Sequence, residues 1–97
     1  MKDIKMNIAS KTNFGNALEQ LKAGKRVARA GWNGKGMFLF LVHGESITNL
    51  IHENYGNAEH EKAMPVLDAI YMKTADNNLI PWLASQTDVF AEDWEVV

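Results

Sequence analysis

The sequence predicts an α+β fold, a small antiparallel sheet of two hairpins packed on one amphipathic helix, with a short C-terminal helical turn. Apolar residues recur at helical spacing only in residues 13–24. The other apolar runs are short and bounded by turn residues, as strands are. The 97 residues fit a single domain, 1–97, with a modest core that association often stabilises.

The chain begins with a short extended segment and then the helix. Ile4, Met6 and Ile8 alternate, which indicates a short first strand at a sheet edge. The segment "NFGNALEQLKAG" places its apolar residues on one helical face, and Asn13 can cap its N-terminus. Gly24 suits the left-handed position after the C-terminus. The residues of the buried face are Phe14, Ala17, Leu18 and Leu21.

Two hairpins are predicted after the helix. "KRVARA" and "MFLFLVH" flank a glycine-rich segment in which Asn33-Gly34 fits a type I′ turn. "DAIYMKT" and "NLIPW" flank the turn "ADNN", and Pro81 is expected to end this ladder because it lacks an N–H. The C-terminal "ASQTDVFAEDWEVV" fits a helical turn capped by Ser85 or Thr87, then a brief strand.

Residues 44–66 lie between the hairpins and show no clean period, so they are predicted to be a variable loop. This loop is either a functional flap or tolerated excess. It contains His52, His60 and three glutamates, Glu53, Glu59 and Glu61. Their spacing places no two of them on one face of a predicted element, so a solvated loop is favoured over a metal site, and no cofactor is expected.

The strand "MFLFLV" is apolar on both faces, so both faces are expected to pack against other elements. The single helix can pack on only one face. Another copy of the chain is expected to pack on the second face, which makes the protein a homo-oligomer. The alternative is an internal strand covered by the long loop, which is less favoured because that loop is polar.

Composition excludes several function classes. The chain has no cysteine, and no apolar run is long enough to cross a membrane. Residues 1–43 are basic and residues 44–97 are acidic, which favours pairing between the two halves over a dedicated binding site. The basic residues are too few and too compensated for a long nucleic acid.

Catalytic motifs are absent from the sequence, so an enzyme is not the favoured prediction. A small hydrolase acting on a cyclic nucleotide, with Asp88 or Glu92 as acid or base, stays as the alternative.

Trp32, in the glycine-rich turn, suits stacking on a planar ligand. Lys25, Arg26 and Arg29 could supply charge for phosphates, and polar groups for a ribose or base edge come from four residues. These are Asn33, Gln86, Thr87 and Asp88.

Two long blocks, which contain "GWNGKGMFLFLV" and "PWLASQTD", resemble the phage Thoeris anti-defence family, second type. The resemblance implies an oligomer, a tetramer, that binds cyclic ADP-ribose isomers without cleaving them and so starves the Thoeris effector. Some relatives bind cyclic oligonucleotides at a separate pocket. The host cytoplasm is the expected location, because no apolar run spans a membrane and "MKDIKMNIAS" has charges where a secretory signal needs its apolar centre. Ligand-binding roles carry over to Trp32, Asn33, Trp82, Gln86, Thr87 and Asp88, and to the basic strand residues Arg26 and Arg29.

Two segments depart from the family pattern. Residues 1–12 form an N-terminal extension. Residues 50–66, "LIHENYGNAEHEKAMPV", do not match the family pattern, so the resemblance does not specify which cyclic ADP-ribose isomer is preferred. Three of the carried-over residues also have a structural alternative. Trp82 follows a proline at a strand end and could belong to the core. Arg26 and Arg29 could simply pair with the acidic half.

Overall fold

One antiparallel sheet of five strands organises residues 10–32, 35–55 and 64–97, the residues that the computed structural model describes. The elements are α1 (Phe14–Lys22), β1 (Val27–Arg29), β2 (Phe38–Val42), α2 (Thr48–Tyr55), β3 (Ala69–Lys73), β4 (Leu79–Pro81), α3 (Gln86–Phe90) and β5 (Trp94–Val96). The strand order is β4-β3-β2-β1-β5, so the doubly apolar strand β2 lies at the centre. Within these ranges no helix has the length and hydropathy to cross a membrane. The α+β prediction is confirmed.

Helix α1 begins and ends where the sequence predicts. The Asn13 side chain accepts a hydrogen bond from the Asn16 N–H at 2.8 Å, which satisfies one of the free donors at the helix start. Gly24 follows the helix with φ +89°, a conformation that costs glycine little. Ala17 and Leu21 are fully buried against the sheet, so the predicted apolar face is the buried one.

Strands β1 and β2 pair antiparallel, as predicted, but with a register that a simple turn does not give. Val27 lies opposite Leu39. A two-residue turn at positions 33 and 34 would place Val27 opposite Phe40 instead. The expectation of a plain type I′ hairpin is therefore wrong, although Asn33 and Gly34 themselves lie outside the described residues.

The register changes because the chain leaves the ladder early. Residues Ala30–Trp32 form a 3₁₀ turn directly after β1. The N–H of Ala30 donates to the carbonyl of Asp93 at 2.9 Å, and the N–H of Gly31 donates to the carboxylate of the same residue. The two backbone N–H groups that follow β1 thus bond to the C-terminal segment and not to β2.

The second hairpin, β3–β4, forms as predicted. The Asn77 N–H donates to the Thr74 carbonyl at 3.0 Å, and Asn77 adopts φ 68°, which is the arrangement of a three-residue hairpin loop. Pro81 lies opposite Tyr71 on the edge strand, where a missing N–H is tolerated. The Trp82 N–H still donates to Ile70 at 3.0 Å, so the ladder continues one bond beyond the proline.

The two hairpins share one sheet because β2 also pairs with β3, from Phe38↔Lys73 to Val42↔Ala69. Strand β5 then adds to the other side of β1, and Trp94 lies opposite Arg29. One face of the sheet packs on α1 and forms the core. Its buried members are Ala17, Leu21, Val27, Leu39, Met72 and Trp94.

The opposite face of the sheet, called the open face here, carries Ala28, Phe38, Phe40, Tyr71 and Glu95. Phe40 stacks tilted against Tyr71, with ring centroids 6.3 Å apart, and Phe38 meets Phe40 at 6.2 Å. These three rings are half-buried and stand outside the helix-covered core. Within the described part of the chain, α1 therefore covers only one of the two apolar faces of β2, as the sequence predicts.

Residues 44–66 contain more structure than the predicted loop. They include a 3₁₀ turn, Gly44–Ser46, and the helix α2. No residue of α2 is fully buried, and Leu50 and Tyr55 are more than half exposed. A helix that buries no face leaves no hydrophobic period in the sequence, which explains why the prediction missed it. The predicted strand at residues 4–8 lies outside the described residues.

Candidate functional site

Four aromatic rings meet at the base of the glycine-rich connection between β1 and β2. Trp94 is completely buried at their centre. The rings of Phe14, Trp32 and Trp82 surround it, with centroids 5.4, 5.6 and 6.0 Å from that of Trp94. The indole N–H of Trp94 donates to the carbonyl of Asp88 at 3.0 Å. This aromatic cluster therefore joins the connection, the end of β4 and α3.

Both predicted ligand-binding tryptophans, Trp32 and Trp82, belong to this cluster. Trp82 contacts both Phe14 and Trp94, so the core alternative for this residue has direct support. Trp32, although it lies in a glycine-rich turn, is half-buried and meets Trp94 edge to face. The core thus holds one side of the Trp32 ring in place.

An ion-pair network lies beside the cluster and links the two halves of the chain. Arg29 Nε donates to Asp93 Oδ1 and Arg29 Nη1 to Asp88 Oδ1, each at 2.9 Å. The three side chains are only 14–28% exposed, so solvent screens these pairs less than it would at the surface. Both carboxylates raise the pKa of Arg29. For Arg29, the expectation that the basic half pairs with the acidic half is confirmed.

Asp88 is also tied to the start of α3. Its Oδ2 accepts from the N–H of Ser85 at 2.9 Å and from the Ser85 hydroxyl at 2.8 Å, while the Asp88 N–H donates to Ser85 Oγ. This reciprocal arrangement is a capping box, and Ser85 rather than Thr87 is the cap. Burial alone would raise the pKa of Asp88, but the hydrogen bonds from Ser85 and Arg29 together lower it.

Asp93 was not among the predicted site residues, yet it contacts the connection directly. Its Oδ2 accepts the Gly31 N–H at 2.9 Å, while its Oδ1 accepts from Arg29. Burial would raise the pKa of Asp93, but the bonds from Arg29 and from the Gly31 N–H outweigh it and lower the pKa. No local pattern marks this residue, because both partners lie more than sixty positions away.

A cavity of about 260 Å³ opens beneath the connection, at the end of the open face next to β5. Its walls combine aromatic and aliphatic side chains with two cationic residues and one carboxylate. The lining residues are Ala28, Arg29, Ala30, Trp32, Lys35, Gly36, Met37, Phe38, Glu95 and Val97. Such a mixture of apolar surface with a few charged groups is typical of small-molecule sites.

Further positive charge surrounds the Phe38 side of the cavity. The guanidinium of Arg26 lies over the Phe38 ring, 4.6 Å from its centroid. The Lys73 ammonium donates to the carbonyl of Gly36, a lining residue, at 3.0 Å. Together with Lys35, these cations favour an anionic ligand. Glu95 would repel such a ligand unless it accepts hydrogen bonds from it.

The family described as the Thoeris anti-defense 2-like domain matches residues 12–97. The chain belongs to this family. It is 47% identical over 89 residues to a protein named Thoeris anti-defense 2 from Bacillus phage SP01, and the alignment covers 91% of this chain and 97% of the relative. The predicted resemblance is confirmed, and the predicted extension, residues 1–12, lies almost wholly before the matched region.

Only some of the residues that the family resemblance predicted to bind ligand lie at the cavity. Trp32 and Arg29 line the cavity, and Arg26 borders it. Trp82, Gln86, Thr87 and Asp88 do not line it; Gln86 and Thr87 are exposed on α3. Asn33 lies outside the described residues.

The histidines show no metal-like grouping in the part of the chain that is described. His52 Nε2 lies 2.9 Å from the carbonyl of Met64, which gives the imidazole a local structural partner. His60, Glu59 and Glu61 lie outside the described ranges.

Proposed function

We propose that this Thoeris anti-defense 2-like protein binds and sequesters cyclic ADP-ribose-type immune signals without cleaving them, and so blocks activation of the Thoeris effector. The observation that carries the proposal is the cavity beneath the β1–β2 connection. Its lining includes Trp32, the cationic residues Arg29 and Lys35, and the carboxylate residue Glu95. Family membership supports the target system.

Each chemical part of such a nucleotide finds a suitable partner in or near the cavity. An adenine base can stack on Trp32 or Phe38, and stacking contributes about 1–3 kcal/mol per base. Lys35 and Arg26 supply positive charge for the two phosphates. The Glu95 carboxylate can accept hydrogen bonds from ribose hydroxyls or from the adenine amine.

The size of the cavity favours a site completed by another copy of the chain. Its volume of about 260 Å³ is below the roughly 300–1,000 Å³ that is usual for small-molecule pockets. The open face extends from the cavity and presents the rings of Phe38, Phe40 and Tyr71. A partner subunit on this face would cover the rings and enlarge the site. We therefore propose a homo-oligomer, with a tetramer favoured by the family resemblance.

The hydrolase alternative has less support from the geometry. Both oxygens of Asp88 are occupied by Arg29 and Ser85, and its lowered pKa makes it a weak base. Neither Asp88 nor Glu92 lines the cavity. A carboxylate held by a cap and an ion pair stabilises the fold and has no free oxygen for proton transfer.

Recovery of the ligand after binding tests the proposal. The protein is equilibrated with a cyclic ADP-ribose isomer, separated from free nucleotide by ultrafiltration, heated, and the released molecule identified by chromatography. Intact nucleotide supports sequestration, and linear ADP-ribose would show hydrolysis. Lys35→Gln should retain less ligand, whereas Lys22→Gln, on the far side of α1, should retain as much as the wild type. Failure to retain any isomer would overturn the proposal, and a cyclic dinucleotide run in parallel tests the wider ligand range.

A further inference from the structure

Three oxygen atoms of Asp93 accept hydrogen bonds from the end of β1 and the start of the β1–β2 connection. Its carboxylate accepts from the Gly31 N–H and from Arg29 Nε, each at 2.9 Å. Its backbone carbonyl accepts from the Ala30 N–H, also at 2.9 Å. Two consecutive backbone donors that follow β1 therefore bond to one residue in the C-terminal segment. This fixes the path by which the chain leaves the sheet.

Trp32 follows directly after these anchored residues. It ends the 3₁₀ turn that they begin, and its ring packs on Trp94, the residue next to Asp93. The fit between the turn and the carboxylate is close, since a Cβ added at Gly31 would lie 3.3 Å from Asp93 Oδ2. Trp32 thus belongs to a turn whose first two residues are anchored to Asp93.

We infer that Asp93 is a positioning residue that sets the Trp32 ring against the cavity for stacking on the ligand base. The inference rests on the proposed nucleotide-binding function. Asp93 acts through the backbone of Ala30 and Gly31, and it need not touch the ligand. A prearranged ring gives tighter binding because the ligand does not have to order it.

Asp88 provides a matched control within the same network. It pairs with Arg29 at the same 2.9 Å distance and carries the same charge. Its second oxygen, however, bonds to Ser85 at the start of α3 and not to the connection. Loss of either carboxylate removes one partner of Arg29, but only loss of Asp93 releases Gly31.

The test compares Asp93→Ala with Asp88→Ala in the full chain. Urea unfolding gives their stabilities, and the indole N–H resonance of Trp32, assigned with Trp32→Phe, reports the ring environment without ligand. Calorimetry with cyclic ADP-ribose gives the affinity at a temperature where both variants are folded. Both variants should lose stability. Only Asp93→Ala should shift the Trp32 resonance and weaken binding, by about two- to tenfold, because the ligand then has to order the released ring itself.

The outcomes separate positioning from a general loss of structure. Equal effects of both variants on the Trp32 resonance and on affinity would overturn the inference. Asp93→Asn keeps one acceptor oxygen for the Gly31 N–H and should recover part of the affinity; it also takes the place of Asp93→Ala if that variant does not fold. If the wild type binds no isomer, the proposed function fails, yet the Trp32 resonance in the ligand-free variants still decides whether Asp93 positions the ring.

Discussion

Trp32 meets Trp94 edge to face, with ring centroids 5.6 Å apart. Trp94 is fully buried, so the contact holds the Trp32 ring against the core, and Trp32 is also one of the residues that line the cavity. A ring held in this way has little motion to lose when a base stacks on it. The same contact would couple the proposed nucleotide binding to stability.

Trp32→Ala should therefore weaken both properties. We expect a loss of about 1–3 kcal/mol in the free energy of unfolding, because the half-buried ring leaves its place on the core. Ligand affinity should fall by about 1–3 kcal/mol as well. Urea unfolding and calorimetry measure the two changes. Phe90→Ala is the control, since Phe90 is 76% exposed. Unchanged binding by a folded Trp32→Ala protein would show that the ring has only a structural role.

Lys35→Gln should reduce ligand affinity and flatten its dependence on salt. Lys35 lines the cavity, and its charge attracts a ligand with two phosphates. Arg26→Gln should act in the same direction, whereas Arg29→Gln should mainly cost stability by leaving Asp88 and Asp93 unpaired. Calorimetry at low and high salt measures the effect. Lys22→Gln, whose partner Glu19 lies on α1, should keep the wild-type salt dependence.

Glu95→Gln tests specific polar recognition, which sequence reasoning had placed at Asp88. A carboxylate in the cavity is repulsive toward phosphates unless it accepts hydrogen bonds, which contribute roughly 1.5–3 kcal/mol each when charged. We expect Glu95→Gln to lose affinity at every salt concentration. Asp88→Asn should instead lose stability, because the Arg29 pair and the cap weaken. Tighter binding by Glu95→Gln would exclude a recognition role for the carboxylate.

The Asp93 carboxylate should make stability depend on pH at the acidic end. Its pKa is lower in the folded protein than in the unfolded chain, where it is about 3.9. Its contribution is therefore complete above that value and is lost as the pH falls through the folded pKa. The gap in unfolding free energy between wild type and Asp93→Asn should stay constant from about pH 5 to 7 and shrink below about pH 4. Urea titrations across this range measure it. A gap that stayed constant below pH 4 would show that Asp93 acts without its charge.

Light scattering at micromolar concentration should show more than one chain per particle. Phe40→Lys places a charge among the rings of the open face and should shift the mass toward the monomer, because burying an unpaired charge in an interface is costly. Glu19→Lys, exposed on α1, should leave the mass unchanged. A monomeric wild type would remove the argument that a second copy covers the open face.

Local signals in the sequence predicted most of the elements. The cap at Asn13, the glycine at position 24 and the spacing from Phe14 to Leu21 define α1, and each acts within a few residues. The loop of the second hairpin and the short helix capped by Ser85 are equally local. Helix α2 escaped prediction because it buries no face.

The sequence alone thus determined the family, the α+β class and the presence of a strand with two apolar faces. The tertiary structure decided the strand order, the register of Val27 opposite Leu39, and the pairing of Arg29 with Asp88 and Asp93. It also decided that Trp94 fills the core, and that Lys35 and Glu95 meet Trp32 at one cavity. Hydrogen bonds between residues about sixty positions apart leave no periodic trace in the chain. Only the packing of all elements selects them.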